Sequence, residues 1–348
     1  MNPYKTSPQK AFWKPAVASR SMFDIDEIWD PKFKIRRSDR VLTYGSCFAQ
    51  HIGRALENRG LLWHKPESEP HGMGPVNAKK FNYGIFSTRT GNIYTTSLLR
   101  QWVEWALKAV SPPEEIWEKN GRYIDPFRPR IEPDGFASVE ELVQSRAATV
   151  RAFHSGVRNA DFFVFTLGLT ESWFNSEHGY EYPMCPGTVA GEFDKHLHHF
   201  KNQQFQEVLS NLVQAIEMMR EVNPGLRFLL TVSPVPLTAT MSSKHVAVAT
   251  IASKSILRAV TEQLATNRTY VDYFPSYELI SSPVFKGVFF EPNQRDVNPV
   301  GVNFVMDNFF KCLEKKFGLL PPVDGSSRMV ANMDLVCEEE ILGTFQHA

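Results

Sequence analysis

RVLTYGSCFAQHIGRALENRG, residues 40–60, decides the fold class. Its opening, 41–44, is apolar and rich in strand-forming residues, and Gly45 ends it, so it reads as a short strand. Phe48, Ile52, Ala55 and Leu56 then recur at helical spacing, and Gly60 stands where a helix C-cap belongs. A strand, a tight turn and a helix make the opening of an α/β unit.

The same alternation continues downstream. DFFVFTL at 161–167 and LRFLLTVSP at 226–234 are apolar runs of strand length, as expected of parallel strands buried on both faces. TYVDYFP at 269–275 is a further strand. Apolar spacing predicts helices over 95–110, 138–160, 202–222, 245–265 and 299–317. Ser138 with Glu141 fits a capping box, and Pro299 occupies the favoured first turn. The stretches 64–95, 111–136 and 175–200 read as loops, the first a long functional one carrying aromatics and glycines. Residues 1–37 form an N-terminal extension, 38–317 the α/β domain and 318–348 a C-terminal tail. The expected fold is a mostly parallel sheet with helices on both faces, which binds ligands beyond the carboxyl ends of its strands. Three strands end in polar segments, YGSC, LGLTE and TVSPVP. These should converge at one rim.

Composition narrows the partners. Thirty-eight basic residues balance 38 acidic ones, which argues against nucleic acid or anionic membrane as a bulk electrostatic partner. No apolar leader and no run of about 18 apolar residues is visible, so a cytoplasmic protein without membrane spans is expected. The four cysteines, Cys47, Cys185, Cys312 and Cys337, have no metal or disulfide spacing. GxxxxGK[ST] and GxGxxG are absent, which disfavours nucleotide chemistry. His196, His198 and His199 in KHLHHF lack a carboxylate at ligand spacing, so no metal site is expected.

A nucleophile just after a strand, at the entry to a helix, gains from the helix terminus, which favours an anion. Cys47 is thus a candidate activated thiolate, or a small residue packed under the helix. Ser46 is the alternative nucleophile and a possible N-cap. In GLTE, Thr170 could donate to an oxyanion and Glu171 could orient a base or hold a loop; both could equally cap the next segment. Cys185 lies in a loop and could line the pocket. Cys312 falls within the last amphipathic helix as packing, and Cys337 in the tail.

GSCFA at 45–49 resembles the signature of the GSCFA domain family, placed in the SGNH or GDSL hydrolase-like superfamily. FNYGIFSTRTGNIYT, FTLGLTESWF, TVSPVPL, SKSILR and VDYFPSYELI look like further blocks of that family in order, over roughly residues 38–312. The resemblance implies a flavodoxin-like three-layer α/β/α sandwich and hydrolysis or transfer of O-acyl groups, often on carbohydrate. It places Cys47 at the nucleophile position, Thr170 at the oxyanion-hole Asn and Gly84 at the second oxyanion donor, beside the Cys47 backbone N–H. Asn82, Arg89 and Asn92 of the same block, with Glu171, Cys185 and Asn298, are candidate substrate-binding groups.

The departure from the superfamily is at NQRDVNPVG. Asn298 stands where the catalytic His would fall and Arg295 where the Asp would, with Asp296 out of register. An Asn amide does not take up a proton near neutral pH. Three substitutes are open: a thiolate ionised by the helix terminus, Asp296, or another His. His245 opens the helix after TVSPVP and is preferred over His51, one turn beyond Cys47. The expected function is an acyl esterase acting on a carbohydrate or similar polar small molecule. An acyltransferase using acyl-CoA, or a domain that binds a ligand without turnover, are the alternatives. No other cofactor is expected, and the oligomeric state stays open.

Overall fold

A computed structural model of the chain describes residues 2–318 and 338–347. The N-terminal residues form short 3₁₀ and π turns, from which Ile25, Trp29 and Ile35 reach the core. Strand β1, Val41–Gly45, leads into helix α1, Ala49–Asn58. The long loop that follows holds one short helix, α2, Pro75–Lys80, and ends at α3, Thr96–Leu107. Strands β2, Trp117–Lys119, and β3, Arg122–Ile124, form a hairpin within the stretch expected to be irregular. Helix α4, Val139–Asn159, then leads to β4, Phe162–Leu167.

Next come β5, Glu171–Asn175, β6, Glu181–Tyr182, and β7, His198–Asn202. They pair antiparallel in the order β6-β5-β7. The expected loop at 175–200 is therefore largely a small second sheet. Helix α5, Phe205–Val222, strand β8, Arg227–Val232, helix α6, Val246–Asn267, and strand β9, Val271–Tyr273, continue the α/β alternation. Helices α7, Ser276–Ser281, and α8, Pro299–Phe317, complete the domain. Residues Glu338–His347 form a 3₁₀ segment.

The main sheet has the order β1-β4-β8-β9 and is parallel throughout. Side chains alternate between two cores, as the period of two requires. Leu42, Tyr44, Phe163, Phe165, Phe228 and Leu230 join one core with residues of α3, α4, α5 and α6. Val41, Phe162, Val164 and Leu229 join the other with α1, α7, α8 and Trp29. The result is a three-layer α/β/α sandwich, the expected fold class.

Helix ends follow local chemistry. The Ser138 hydroxyl accepts from the Glu141 N–H at 3.2 Å, while the Glu141 carboxylate accepts from the Ala137 N–H at 2.9 Å, one residue outside the expected box. The Asn298 side chain accepts from the Gly301 N–H at 2.9 Å and so caps α8.

The carboxyl ends of β1 and β4 approach very closely. Gly45 has φ +133°, and a Cβ there would lie 2.3 Å from the Thr166 carbonyl oxygen. No side chain fits between these strands. Gly45→Ala should therefore cost about 2 kcal/mol or more through overpacking, lowering the melting temperature by about 3 °C or more. Calorimetry checks this, and an unchanged melting temperature would contradict the close approach.

Candidate active site

Past Gly45 the chain enters the GSC turn. The Ser46 N–H donates to the Thr166 carbonyl at 3.0 Å. The Ala49 and Gln50 N–H groups donate back to the Ser46 and Cys47 carbonyls at 2.9 and 3.1 Å. This places Cys47 at the approach to the N-terminus of α1, whose dipole favours negative charge there. Phe48 is the N-cap residue of α1, so Ser46 does not cap it. The Ser46 hydroxyl is buried and has no hydrogen-bond partner among the described residues. Cys47 is 4% exposed.

The second wall of the site is the turn after β4. A Cβ on Gly168 would lie 3.2 Å from the Ser46 Cβ and 3.1 Å from the Tyr94 carbonyl oxygen, so a bare backbone lets the two turns meet. The Gly168 and Leu169 N–H groups donate to that Tyr94 oxygen at 2.9 and 3.1 Å. Tyr94 is brought there by the 84–95 loop, which runs beside β1; its Ile93 N–H donates to the Gly45 carbonyl at 2.9 Å.

Helix α6 supplies the charge. Lys254 is 2% exposed, and its Nζ donates to the Gly168 carbonyl oxygen at 2.6 Å. Burial lowers its pKa to about 8, opposed by Glu339 and Cys47 and assisted by Arg295. Lys254 thus sits within electrostatic reach of the Cys47 sulfur. The preceding residue, Ser253, accepts from the Thr170 N–H at 3.1 Å, so two neighbouring residues of α6 hold the 168–170 turn.

The C-terminal 3₁₀ segment docks beside this rim. Glu338 is buried, and its carboxylate accepts from the Asn92 amide and, at 3.0 Å, from the Tyr94 hydroxyl. Glu339 lies 3.7 Å from Arg295. Beside it is a cavity of about 270 Å³, walled by Leu169, Trp173, Met184, Leu237, Leu342 and Phe345 among others. Two larger cavities, of about 890 and 590 Å³, lie elsewhere and are lined by none of Ser46, Cys47 or Lys254.

The three polar strand ends do meet. GSC touches GLTE through Ser46 and Gly168. The Ser233 N–H of TVSPVP donates to the Leu167 carbonyl at 2.9 Å, and Glu171 accepts from the Thr240 hydroxyl at 2.5 Å. Burial raises the Glu171 pKa, against those hydrogen bonds. The Thr170 hydroxyl donates to the Asn202 side chain at 2.7 Å. Cys185 lines the cavity, with its thiol pushed up to about 11 by burial. Asn92 faces Glu338 as described.

Other expected site residues serve local structure. His245 is exposed and caps α6 by accepting from the Ala247 N–H at 3.2 Å. It lies nine residues before Lys254, about 13 Å of helix rise. Asp296 accepts from the Asn293 amide at 2.6 Å and from Arg295 at 3.3 Å, within its own turn. Asn298 donates to the Val288 carbonyl at 2.9 Å besides capping α8. Asn82 donates to the Arg130 and Ile131 carbonyls at 3.1 and 3.0 Å. Arg89 pairs with Glu132 and stacks 4.3 Å over the Tyr83 ring. Gly84 has φ +67° with open space where a Cβ would stand. His51 is buried against Phe48, and burial lowers its pKa to about 3, which keeps it neutral. Cys312 is buried in the second core; Cys337 lies outside the described residues. No group of three or more potential metal ligands occurs among the described residues. No helix among the described residues is long and apolar enough to cross a membrane.

The fold and site define an α/β protein whose candidate nucleophile sits at the carboxyl rim of a parallel sheet. The GSCFA family model matches residues 40–309, most of the chain, and the protein belongs to the GSCFA family. No curated protein and no solved structure matches it significantly.

Burial pushes the Glu339 carboxyl up to about 7, against Arg295 and Lys254, and also raises Glu338. A free Glu titrates near about 4.3. The docked segment therefore holds protons that the undocked one releases. This contribution to docking is full below about 4.3 and is lost as pH rises to about 7. Hydrogen-exchange protection factors of residues 338–345 should fall between pH 5 and pH 8; constant protection would contradict the assignment.

Proposed function

We propose that the protein is an acyl-processing enzyme of the SGNH type, an esterase acting on an O-acyl group of a carbohydrate or similar polar small molecule. Cys47 is its nucleophile and Lys254 its proton acceptor. The observation that carries this reading is the buried Lys254 amine, bonded to the Gly168 carbonyl and within electrostatic reach of Cys47 at the entry to α1. A base poised near the working pH is the most effective.

In this reading neutral Lys254 takes the thiol proton and the Cys47 sulfur attacks the acyl carbon. The carbonyl π pair moves to oxygen, giving an oxyanion next to the positive end of α1. As the carbonyl re-forms, the C–O bond to the alcohol breaks, and protonated Lys254 delivers its proton to the leaving oxygen. Water, deprotonated by Lys254, then attacks the thioester and releases the acid and the thiol. Thr170 Oγ1 is committed to Asn202, so its part is to shape the turn. These steps need no metal or organic cofactor. An acyltransferase would run the second half with an acceptor hydroxyl in place of water and acyl-CoA as donor.

A domain that binds without turnover is the second reading, and Asn298 favours it, since it caps α8 where the superfamily has its general base. Turnover of a chromogenic acetyl ester separates them. Cys47→Ala should abolish it and Ser46→Ala should retain it. Lys254→Met should lower it by about 10²–10⁴, the usual share of a general base. The wild-type kcat/KM should rise with pH through about 8 as Lys254 loses its proton. If Cys47→Ala and Ser46→Ala both turn over like wild type, the assignment is wrong.

A further inference from the structure

The C-terminal segment brings two consecutive carboxylates to the rim. Glu338 is held by Asn92 and Tyr94 from the 84–95 loop, and its carboxylate lies against Gly91, 3.1 Å from where a Cβ would stand. Glu339 faces Arg295, from the turn before α8, and Lys254 from α6. An amide, a phenol, a guanidinium and an amine, from three separate parts of the domain, thus converge on acidic groups of one segment. Immediately beyond them, Leu342 and Phe345 reach the apolar cavity walled by Leu169, Trp173 and Leu237.

We propose that the recess formed by Asn92, Tyr94 and Arg295 is a binding site for a carboxylate of the substrate, and that Glu338 and Glu339 occupy it as an intramolecular stand-in. The proposal rests on the reading of Cys47 as nucleophile. Two observations beyond charge complementarity support it. Glu339 acts on the buried Lys254 amine, as Cys47 does, so the segment sits against the same group as the proposed nucleophile. The segment also has the chemistry of the ligand it would imitate: an acid joined to an apolar group, matched by polar donors joined to an apolar cavity. The substrate class is then an acyl compound that carries a carboxyl group beside its ester. The raised carboxyl pKa values fit a docked segment that can be displaced near neutral pH, since burial works against its charges.

Alkylation of Cys47 by neutral iodoacetamide, followed by peptide mass mapping, tests this without requiring turnover. The full-length Glu338→Lys/Glu339→Lys variant, which sets like charges against Arg295 and Lys254, should be alkylated at Cys47 at least about tenfold faster than wild type, as the closed population falls. Leu342→Ala/Phe345→Ala, which spares the carboxylates, should move in the same direction. Glutarate should then slow alkylation of the first variant saturably, glutaramide should not, and Arg295→Met should remove the protection. Circular dichroism confirms that each variant is folded. If both segment variants are alkylated at the wild-type rate, the segment is not a stand-in. If alkylation rises and glutarate gives no protection, the recess is not a carboxylate site. Protection by glutarate in a protein that hydrolyses no ester would keep this site and reject the esterase.

Discussion

The rim depends on one steric constraint, the near contact of backbones where β1 and β4 end. Gly45 lies against the Thr166 carbonyl, and Gly168 against Ser46 and the Tyr94 carbonyl. A methyl group at either position would push the turns apart. Because both are bare, the Gly168 and Leu169 N–H groups reach Tyr94, and the Gly168 carbonyl is presented to Lys254. The GSC turn, the 84–95 loop and α6 are thereby fixed relative to one another.

A lysine amine in that position needs compensation. Desolvating a cation is expensive, and the usual outcome is a hydrogen bond, a nearby anion or a lowered pKa. Lys254 shows all three: the Gly168 carbonyl, the neighbouring Glu339, and a pKa lowered to about 8 by burial. The same features suit proton transfer with a thiol. Structure and proposed chemistry therefore rest on the same group.

The main sheet was legible in the sequence because its strands are apolar on both faces. Phe163 and Phe165 enter one core and Phe162 and Val164 the other, so the run reads as continuous. The smaller sheet was hidden because β5 and β7 mix Glu171, His199 and Lys201 with aromatics, without clean alternation. The β2–β3 hairpin had a readable signal, Asn120-Gly121, both at positive φ as a tight hairpin turn requires. At the site, Cys47 and the GLTE turn were legible from their place after strands. Lys254 was missed because SKSILR enters the reading only as a block resembling the family, not by helix face. Its signal was its position on the buried stripe of α6, with Leu257 and Thr261. His245 and Asp296 stand near the right elements in sequence, but a helix cap and a local turn engage their side chains. Carboxylates of the C-terminal segment reach the rim only through tertiary docking, for which local pattern holds no signal.

Acylation of the Cys47 sulfur is the step on which the proposed chemistry turns. Rapid acid quench of the protein with p-nitrophenyl acetate, followed by peptide sequencing in the mass spectrometer, tests it most directly. The predicted result is one acetyl group on Cys47, removable by neutral hydroxylamine as a thioester, and absent in Lys254→Met over the same interval. Ester turnover with no acetyl group on Cys47, or with the group on Ser46, would contradict the account.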